Sequence, residues 1–550
     1  MSLFGNLYVG ASGIQTGQNA LNTVAHNLAN ADTKGYTRQQ VALTDKGYNL
    51  LAINPKAAAN KQVGMGVTYA EVRQVRDSFL DQTYRKESGR SMFYEISYNT
   101  LGEVETLLGE LNGESFSKSV QNMWEAVQEL AKEPASSVTQ GLLIQRASQF
   151  VEQANNVYGA LCNYQDNLNS QVLGKVNTLN EYANRIYDLN NRIIKIECAG
   201  EEHANDLRDE RNQILDELGK LGNITYSEDL DGGVTVKFEQ HILVNRAQTF
   251  TVAADMDPDT GFYTPFWQAD AKKELQTNGT YKYDISNCMV YDMTRTISTE
   301  ADTDVGSLKA ILLARGDRRA NFTDLKDANA YNEEISSSII MNVQAEFDNL
   351  IHNIVTQMNE VLENAANEEG APYLRNEDGT ILQLFERVSS DEYDVNGDLI
   401  REDLSPGKEN TLFTIGNLVV NADLVKEPTR LGFIKNDGKE DFAIAVALQE
   451  VFERKEYTLN PNVTTKSNLV DYYSNIVSQV ANTGAVFKSV YENEQTTVAS
   501  TENARQQIVG VSDDEELSNM IKFQNAYNAS SRYINVISEM IEHVISTLGR

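Results

Sequence analysis

The chain is short of cysteine, proline, histidine, tryptophan and basic residues, and each shortage removes a class of explanation. Three cysteines in 550 residues, Cys162, Cys198 and Cys288, are odd in number, widely separated and form no C-x-x-C. Neither a disulfide framework nor a zinc site is supported, and they read as packed thiols. Lys and Arg total 47 against 79 Asp and Glu, a formal net charge of -32. That excludes the dense cationic face that phosphate neutralisation requires, so no nucleic-acid partner is expected. No run approaches the ~20 apolar residues of a membrane span, so no membrane partner is expected either. The amino terminus lacks the basic region and apolar block of a cleavable secretory signal, so an exported form needs another route. Only eight prolines occur, none between Pro134 and Pro258 or after Pro461. Long helices can run uninterrupted there.

What is present is apolar periodicity at both ends. Phe4, Leu7, Ala11, Ile14, Gln18, Leu21, Ala25 and Leu28 recur at 3,4 spacing, as do Met520, Phe523, Tyr527, Ser530, Ile534, Ile537, Ile541, Val544 and Leu548. This is the seam of a coiled coil, and two such seams at opposite termini most simply bury each other. Gly5, Gly10, Gly13 and Gly17 fall off the expected stripe, and the first 40 residues hold three charges, Asp32, Lys34 and Arg38. The first helix is therefore expected to be weak alone and ordered by packing, with apolar surface left over for a larger assembly. Ser512-Asp513-Asp514-Glu515 reads as a capping box, starting a last helix near residue 513 that runs about 50 Å.

Between the ends, further helical stripes run from Val172 to Ile196, continue at Leu207, Ile214, Leu218 and Leu221 after a break at Ala199-Gly200, and recur from Phe347 to Val361 and from Tyr473 to Val498. They predict one helical bundle assembled from distant parts of the chain. Alternation around Asp231-Gly232-Gly233 predicts a hairpin, and residues 223 to about 310 read as mostly β. The expected fold is mainly α with a β-rich insertion, nested, elongated and multidomain. Residues 1–60 and 505–550 would form a terminal coiled-coil domain. Residues 61–222, 305–365 and 419–504 would form the bundle, and 223–304 with 366–418 a variable β-rich domain.

Directly after the first helix stands Ala29-Asn30-Ala31-Asp32-Thr33-Lys34-Gly35-Tyr36-Thr37-Arg38. Asn30 can end the helix, Gly35 can take positive φ, and Tyr36 with Arg38 would anchor the turned chain. The run matches A-N-x-x-T-x-G-Y-x-R and resembles the signature of flagellar rod, hook and hook-associated proteins, carried here by Ala29, Asn30, Thr33, Gly35, Tyr36 and Arg38. Residues 205–218 resemble the N-D-L-x-D-x-R-x-x-x-L-D-E-L stretch of the hook-associated protein 1 (FlgK) family, whose members form the first hook–filament junction. Gly306–Leu312 and Glu515–Tyr527 are similar to the same family. The likeness covers roughly residues 1–240, 305–365 and 412–550. Hook and rod proteins look β-rich just inside the terminal helices, and flagellin lacks the signature.

The resemblance implies a structural, non-enzymatic part of the bacterial flagellum. It implies self-assembly into a helical array, contact with the hook protein and with the second junction protein, and passage through the type III export apparatus to an extracellular site. It also implies an export chaperone that holds the carboxy-terminal helix. The assembly interface is then expected at Phe4, Leu7, Ile14, Leu21, Leu28, Met520, Phe523, Tyr527, Ile534, Ile537, Ile541, Val544 and Leu548.

Other chemistry finds no organised residues, and no catalytic, cofactor or metal site is expected. His26, His203, His241, His352 and His543 stand without ligand spacing. Gly64-Met65-Gly66 lacks the third glycine of a dinucleotide loop. Asp394, Asn396 and Asp398 open like a calcium loop, but Leu399 and Ser405 stand where glycine and glutamate belong, so an Asn396-Gly397 turn is expected. Arg315-Gly316-Asp317 reads as a helix exit. Two rival readings are a peptidoglycan hydrolase, for which no module is visible, and an adhesin or binding role of residues 223–418.

Overall fold

The computed structural model describes residues 3–46, 49–52, 61–109, 116–199, 202–275, 281–367, 374–375, 379, 381–388, 401–405 and 408–548. The expected calcium-loop mimic at Asp394–Asp398, with its Asn396-Gly397 turn, and Gly200 of the expected helix break lie outside the described residues.

Helix α1 (Leu3–Ala29) leads into strands β1 (Gln39–Asp45), β2 (Asn49–Ala52), β3 (Lys61–Val63) and β4 (Val67–Gln74). Then come α2 (Ser78–Leu108), α3 (Phe116–Lys132), α4 (Ser137–Glu197) and α5 (Asn205–Leu221). Short strands follow: β5 (Ile224–Glu228), β6 (Val234–Phe238), β7 (His241–Val244), β8 (Val252–Met256), β9 (Tyr263–Trp267), β10 (Lys272–Leu275) and β11 (Tyr281–Asp284). After α6 (Ser307–Arg315), the one-turn α7 (Ala328–Ala330) and α8 (Ile339–Ala366) come β12 (Phe385–Arg387) and β13 (Leu418–Val420). The chain closes with α9 (Ala422–Lys426), α10 (Phe442–Glu453), α11 (Leu469–Val509) and α12 (Asp513–Leu548). The fold is mainly helical with small antiparallel sheets.

The chain divides into two compact units, one of residues 1–91, 177–252 and 494–550, the other of 92–176 and 253–493. In the first, α1 packs along α12, and β1 pairs antiparallel with β4 through a bulge at Ala42/Leu43. Helical stripes alone gave no hint of these strands between residues 39 and 74. They lie against α1, where Gly66, at φ +93, sits so close that an added Cβ would be 2.2 Å from Ser12 Oγ. Helix α5 packs on α2 through Gly219, whose added Cβ would lie 3.1 Å from that of Arg85. Arg85 bonds Asp216 at 2.7 Å, and Arg505 of α11 takes the other oxygen of that carboxylate at 2.8 Å.

Strands β5, β6 and β7 form one sheet. Strands β6 and β7 are separate because Glu239 and Gln240 adopt positive φ (47° and 66°) and turn the chain between them. Asn190 of α4 donates to Val234 O and accepts from Val234 N–H, clipping the strand to the helix. Asn180 does the same with both backbone groups of Val252. A primary amide matches one residue's exposed backbone donor and acceptor, which would otherwise be buried unmet.

In the second unit, Phe116, Phe150, Phe347 and Tyr473 bring α3, α4, α8 and α11 together, with ring centroids as close as 4.9 Å. The same amide device recurs at Asn359, which holds Leu384 and Phe385. Arg315 of the R-G-D tripeptide is buried and donates to Tyr263 O at 3.0 Å, in keeping with a helix exit. Cys162 and Cys288 are buried, but Cys198, expected to be packed, is exposed past the end of α4.

Candidate assembly site

The terminal pair is built on an asymmetric seam. On α12 the covered row contains the positions the spacing selects: Met520, Phe523, Tyr527, Ile534 and Ile541 are half-buried and Ile537 is buried, while Val544 is exposed. On α1 the contact row is displaced. Gly10, Gly17, Ala20, Val24 and Asn27 are buried, Leu7, Ile14, Leu21 and Leu28 flank them half-buried, and Ala11, Gln18 and Ala25 are exposed. Phe4 and Leu548 belong to the two helices, but their side chains lie outside the described residues.

The expectation that the glycines stand off the seam is therefore corrected. A Cβ on Gly10 would lie 2.5 Å from Ile534 Cγ1, one on Gly13 2.4 Å from Ser530 Oγ, and one on Gly17 3.3 Å from Tyr527 Cβ. Glycine lets the backbones approach and lets the bulky α12 residues seat on α1. The reason the spacing misled is that 3,4 periodicity fits Gly10, Gly13, Gly17, Ala20, Val24 and Asn27 as well as the larger residues beside them.

At the base of this pair the signature closes into a knot. Asn30 ends α1, its Nδ2 donating to His26 O at 3.0 Å while Thr33 Oγ1 donates to its Oδ1. Gly35 takes φ +80 against Gln213, whose Nε2 donates to Lys34 O at 2.8 Å. The Tyr36 hydroxyl donates to Asn27 Oδ1 at 2.7 Å and sits 2.9 Å from His26 Nδ1. Asn27 in turn clips both backbone groups of Gln39. Ala29 is exposed at the helix end.

Three separate motif segments meet here. Arg38 bonds Glu516 at 2.9 Å and Glu515 at 2.8 Å, both on the first turn of α12. Thr37 N–H donates to Asp209 of α5, which also accepts from Gln74 of β4. Burial pushes the Asp209 carboxyl up to about 6, outweighing its hydrogen bonds from Thr37 and Gln74 and the nearby Arg76. Burial, followed by the charges of Asp209, Asp206 and Glu516, raises the Tyr36 phenol. Asn27 was not singled out by its sequence, although it lies on the 3,4 row of small residues. Asp209, Gln213 and Glu516 stand inside the motif stretches, but nothing in their spacing says that they meet residues 35–38.

Among the described residues no cluster of His, Cys, Asp or Glu is arranged to hold a metal ion. Around the rest of α12, Leu517, Ile521, Val536, Met540 and Ile545 stay exposed, Ile521 by 61% and Ile545 by 66%.

Known proteins are similar to this chain over its two ends and its helical middle. Residues 101–373 match the model of the flagellar hook-associated protein FlgK helical domain, residues 7–37 that of the flagella basal body rod protein, and residues 505–547 that of the flagellar basal body rod FlgEFG protein C-terminal. Flagellar hook-associated protein 1 of Bacillus subtilis is 25% identical over 100% of this chain and 99% of its own length. That of Salmonella typhimurium is 22% identical, with 97% and 98% covered. The solved flagellar hook junction protein FlgK from Burkholderia pseudomallei shares the fold, with a TM-score of 0.53 at 11% identity over 78% of this chain and 100% of that one. Both ends, the helical middle and the full-length relatives thus converge: the chain belongs to the flagellar hook-associated protein 1 family.

Proposed function

We propose that the chain is a structural component of the bacterial flagellum that forms the hook–filament junction, joining its neighbours through the α1–α12 pair. The observation that carries this reading is the apolar surface of α12 away from α1, at Leu517, Ile521 and Val536, which stays exposed with α1 packed along the helix. Identical subunits meeting through different surfaces build an open helical array unless the rotation closes, so other components must limit its growth. The hook protein would lie below, the second junction protein above, and the chain would travel through the type III export apparatus to its extracellular site. An export chaperone would mask the open face of α12 until assembly, as grooves do for amphipathic helices.

The test separates the two faces of α12. Ile521→Asp with Val536→Asp, both exposed on the side away from α1, should leave the melting temperature within about a degree while cells carry hooks without filaments. Ile534→Asp, against Gly10, should melt early as well. Normal filaments on cells carrying the outer-face double variant would reject the reading.

A further inference from the structure

Away from the terminal pair, one turn of α8 in the second unit grips a short stretch of backbone with a buried carboxyl and a half-buried imidazole. Asp348 is 1% exposed and accepts from Phe322 N–H at 3.0 Å and Ile415 N–H at 2.8 Å. His352, four residues on, stacks on the Phe322 ring at 3.6 Å between centroids, with Nδ1 3.2 Å from Phe413 O. Glu402 accepts Phe413 N–H at 2.7 Å and stands 3.5 Å from His352. The backbone of Phe413 is thus held at both its polar groups, and that of Ile415 at its N–H.

We propose that Asp348, His352 and Glu402 form a proton-compensated clasp: closing it favours proton uptake at the carboxyls and proton loss at the imidazole, so its hold on residues 411–415 varies less with acidity than either type of group alone would make it. The physical cause is shared. Burial penalises charge, which drives an acid to keep its proton and an imidazole to shed one. Hydrogen bonds from Ile415 and Phe322 to Asp348, from Phe413 N–H to Glu402, and between His352 and Phe413 O favour the charged forms, but burial outweighs them. Asp324 and Glu402 oppose charge on Asp348, whose charge also reaches Tyr158 of α4. Lys326 opposes charge on His352, while Lys326 and Arg387 only partly relieve Glu402. Arg387 also donates to Thr411 O at 2.7 Å and lies 4.9 Å from the Phe413 ring centre, fixing the far side of the stretch.

Burial raises Asp348 from 3.8 to about 7 and lowers His352 from 6.5 to about 4. The carboxyl's contribution is complete below pH 3.8 and lost as pH climbs to about 7; the imidazole's is complete above pH 6.5 and lost as pH falls to about 4. Between roughly pH 4.5 and 6.5 the two slopes oppose.

Hydrogen exchange of the full chain, read on a peptide covering residues 411–416 and corrected for intrinsic rates, tests this. The wild-type opening constant should change by less than about tenfold from pH 4.5 to 6.5. In His352→Asn, where the amide can still meet Phe413 O, it should rise by about tenfold per pH unit. In Asp348→Asn with Glu402→Gln, where both carboxyls are gone, it should fall as pH rises. Slopes of the same sign in the two variants, or a wild-type slope equal to that of His352→Asn, would overturn the proposal. The latter comparison stands on its own if the double variant does not fold.

Discussion

Arg38, just ahead of the first strand, holds Glu516 at 2.9 Å, a carboxylate 2% exposed on the opening turn of the last helix. Nearly the whole chain separates the two residues in sequence. Arg38→Ala should cost about 2–4 kcal/mol, because the buried carboxylate keeps only the Asn27 amide. Chemical denaturation checks the loss, and Glu516→Gln in the same background should recover part of it.

The glycine seam gives a graded series. Gly17→Ala should fall within about 1 kcal/mol of the parent, since the helix propensity gained offsets a tight contact with Tyr527. Gly13→Leu should cost more than about 2 kcal/mol, because the side chain meets Ser530 within contact distance. Thermal unfolding of the two variants side by side distinguishes a close backbone approach from a seam of ordinary width.

Asp209 should impose a pH dependence on the knot. Its carboxyl sits at about 6 when folded against 3.8 ordinarily, so the unfolded chain binds fewer protons and stability falls as pH rises from about 4 to about 6. Asp209→Asn should flatten that slope whatever it does to the absolute melting temperature. Melting curves from pH 4 to 7 for both proteins provide the comparison.

Removing one amide clip should be costly for its size. Asn190→Ala strands the N–H and C=O of Val234 and a hydrogen bond from buried Arg211. A loss of about 2–4 kcal/mol is expected. Exposed Asn184→Ala, six residues earlier on α4, should stay within about 0.5 kcal/mol. Urea unfolding separates the two outcomes.

Sequence periodicity made the long helices legible because burial follows it closely: Val172, Val176, Leu179, Ile186, Leu189 and Ile193 of α4 all lie in the core. The last helix likewise starts at Asp513, as its acidic cap indicates. The β1–β4 pair stayed hidden because half-buried strands packed on a helix need no clean alternation, and residues 39–45 follow none. On α1 the large residues drew attention away from the small ones that make the contact. The clasp on α8 was invisible for a different reason. Asp348 and His352 read as polar interruptions of an apolar stripe, and only the returning chain at Phe413 and Ile415 explains them.

A row of glycine and alanine offers little for the opposing side chains to lock against lengthwise, so the α1–α12 pair is indexed less by interdigitation than by its polar base. Arg38, Glu516 and Asn27 act as a clamp at one end of a smooth rail. Matched seven-residue insertions in both helices, placed on the far side of the clamp, should then lengthen the rail without shifting its alignment, and junctions of different depth become reachable by changing helix length alone.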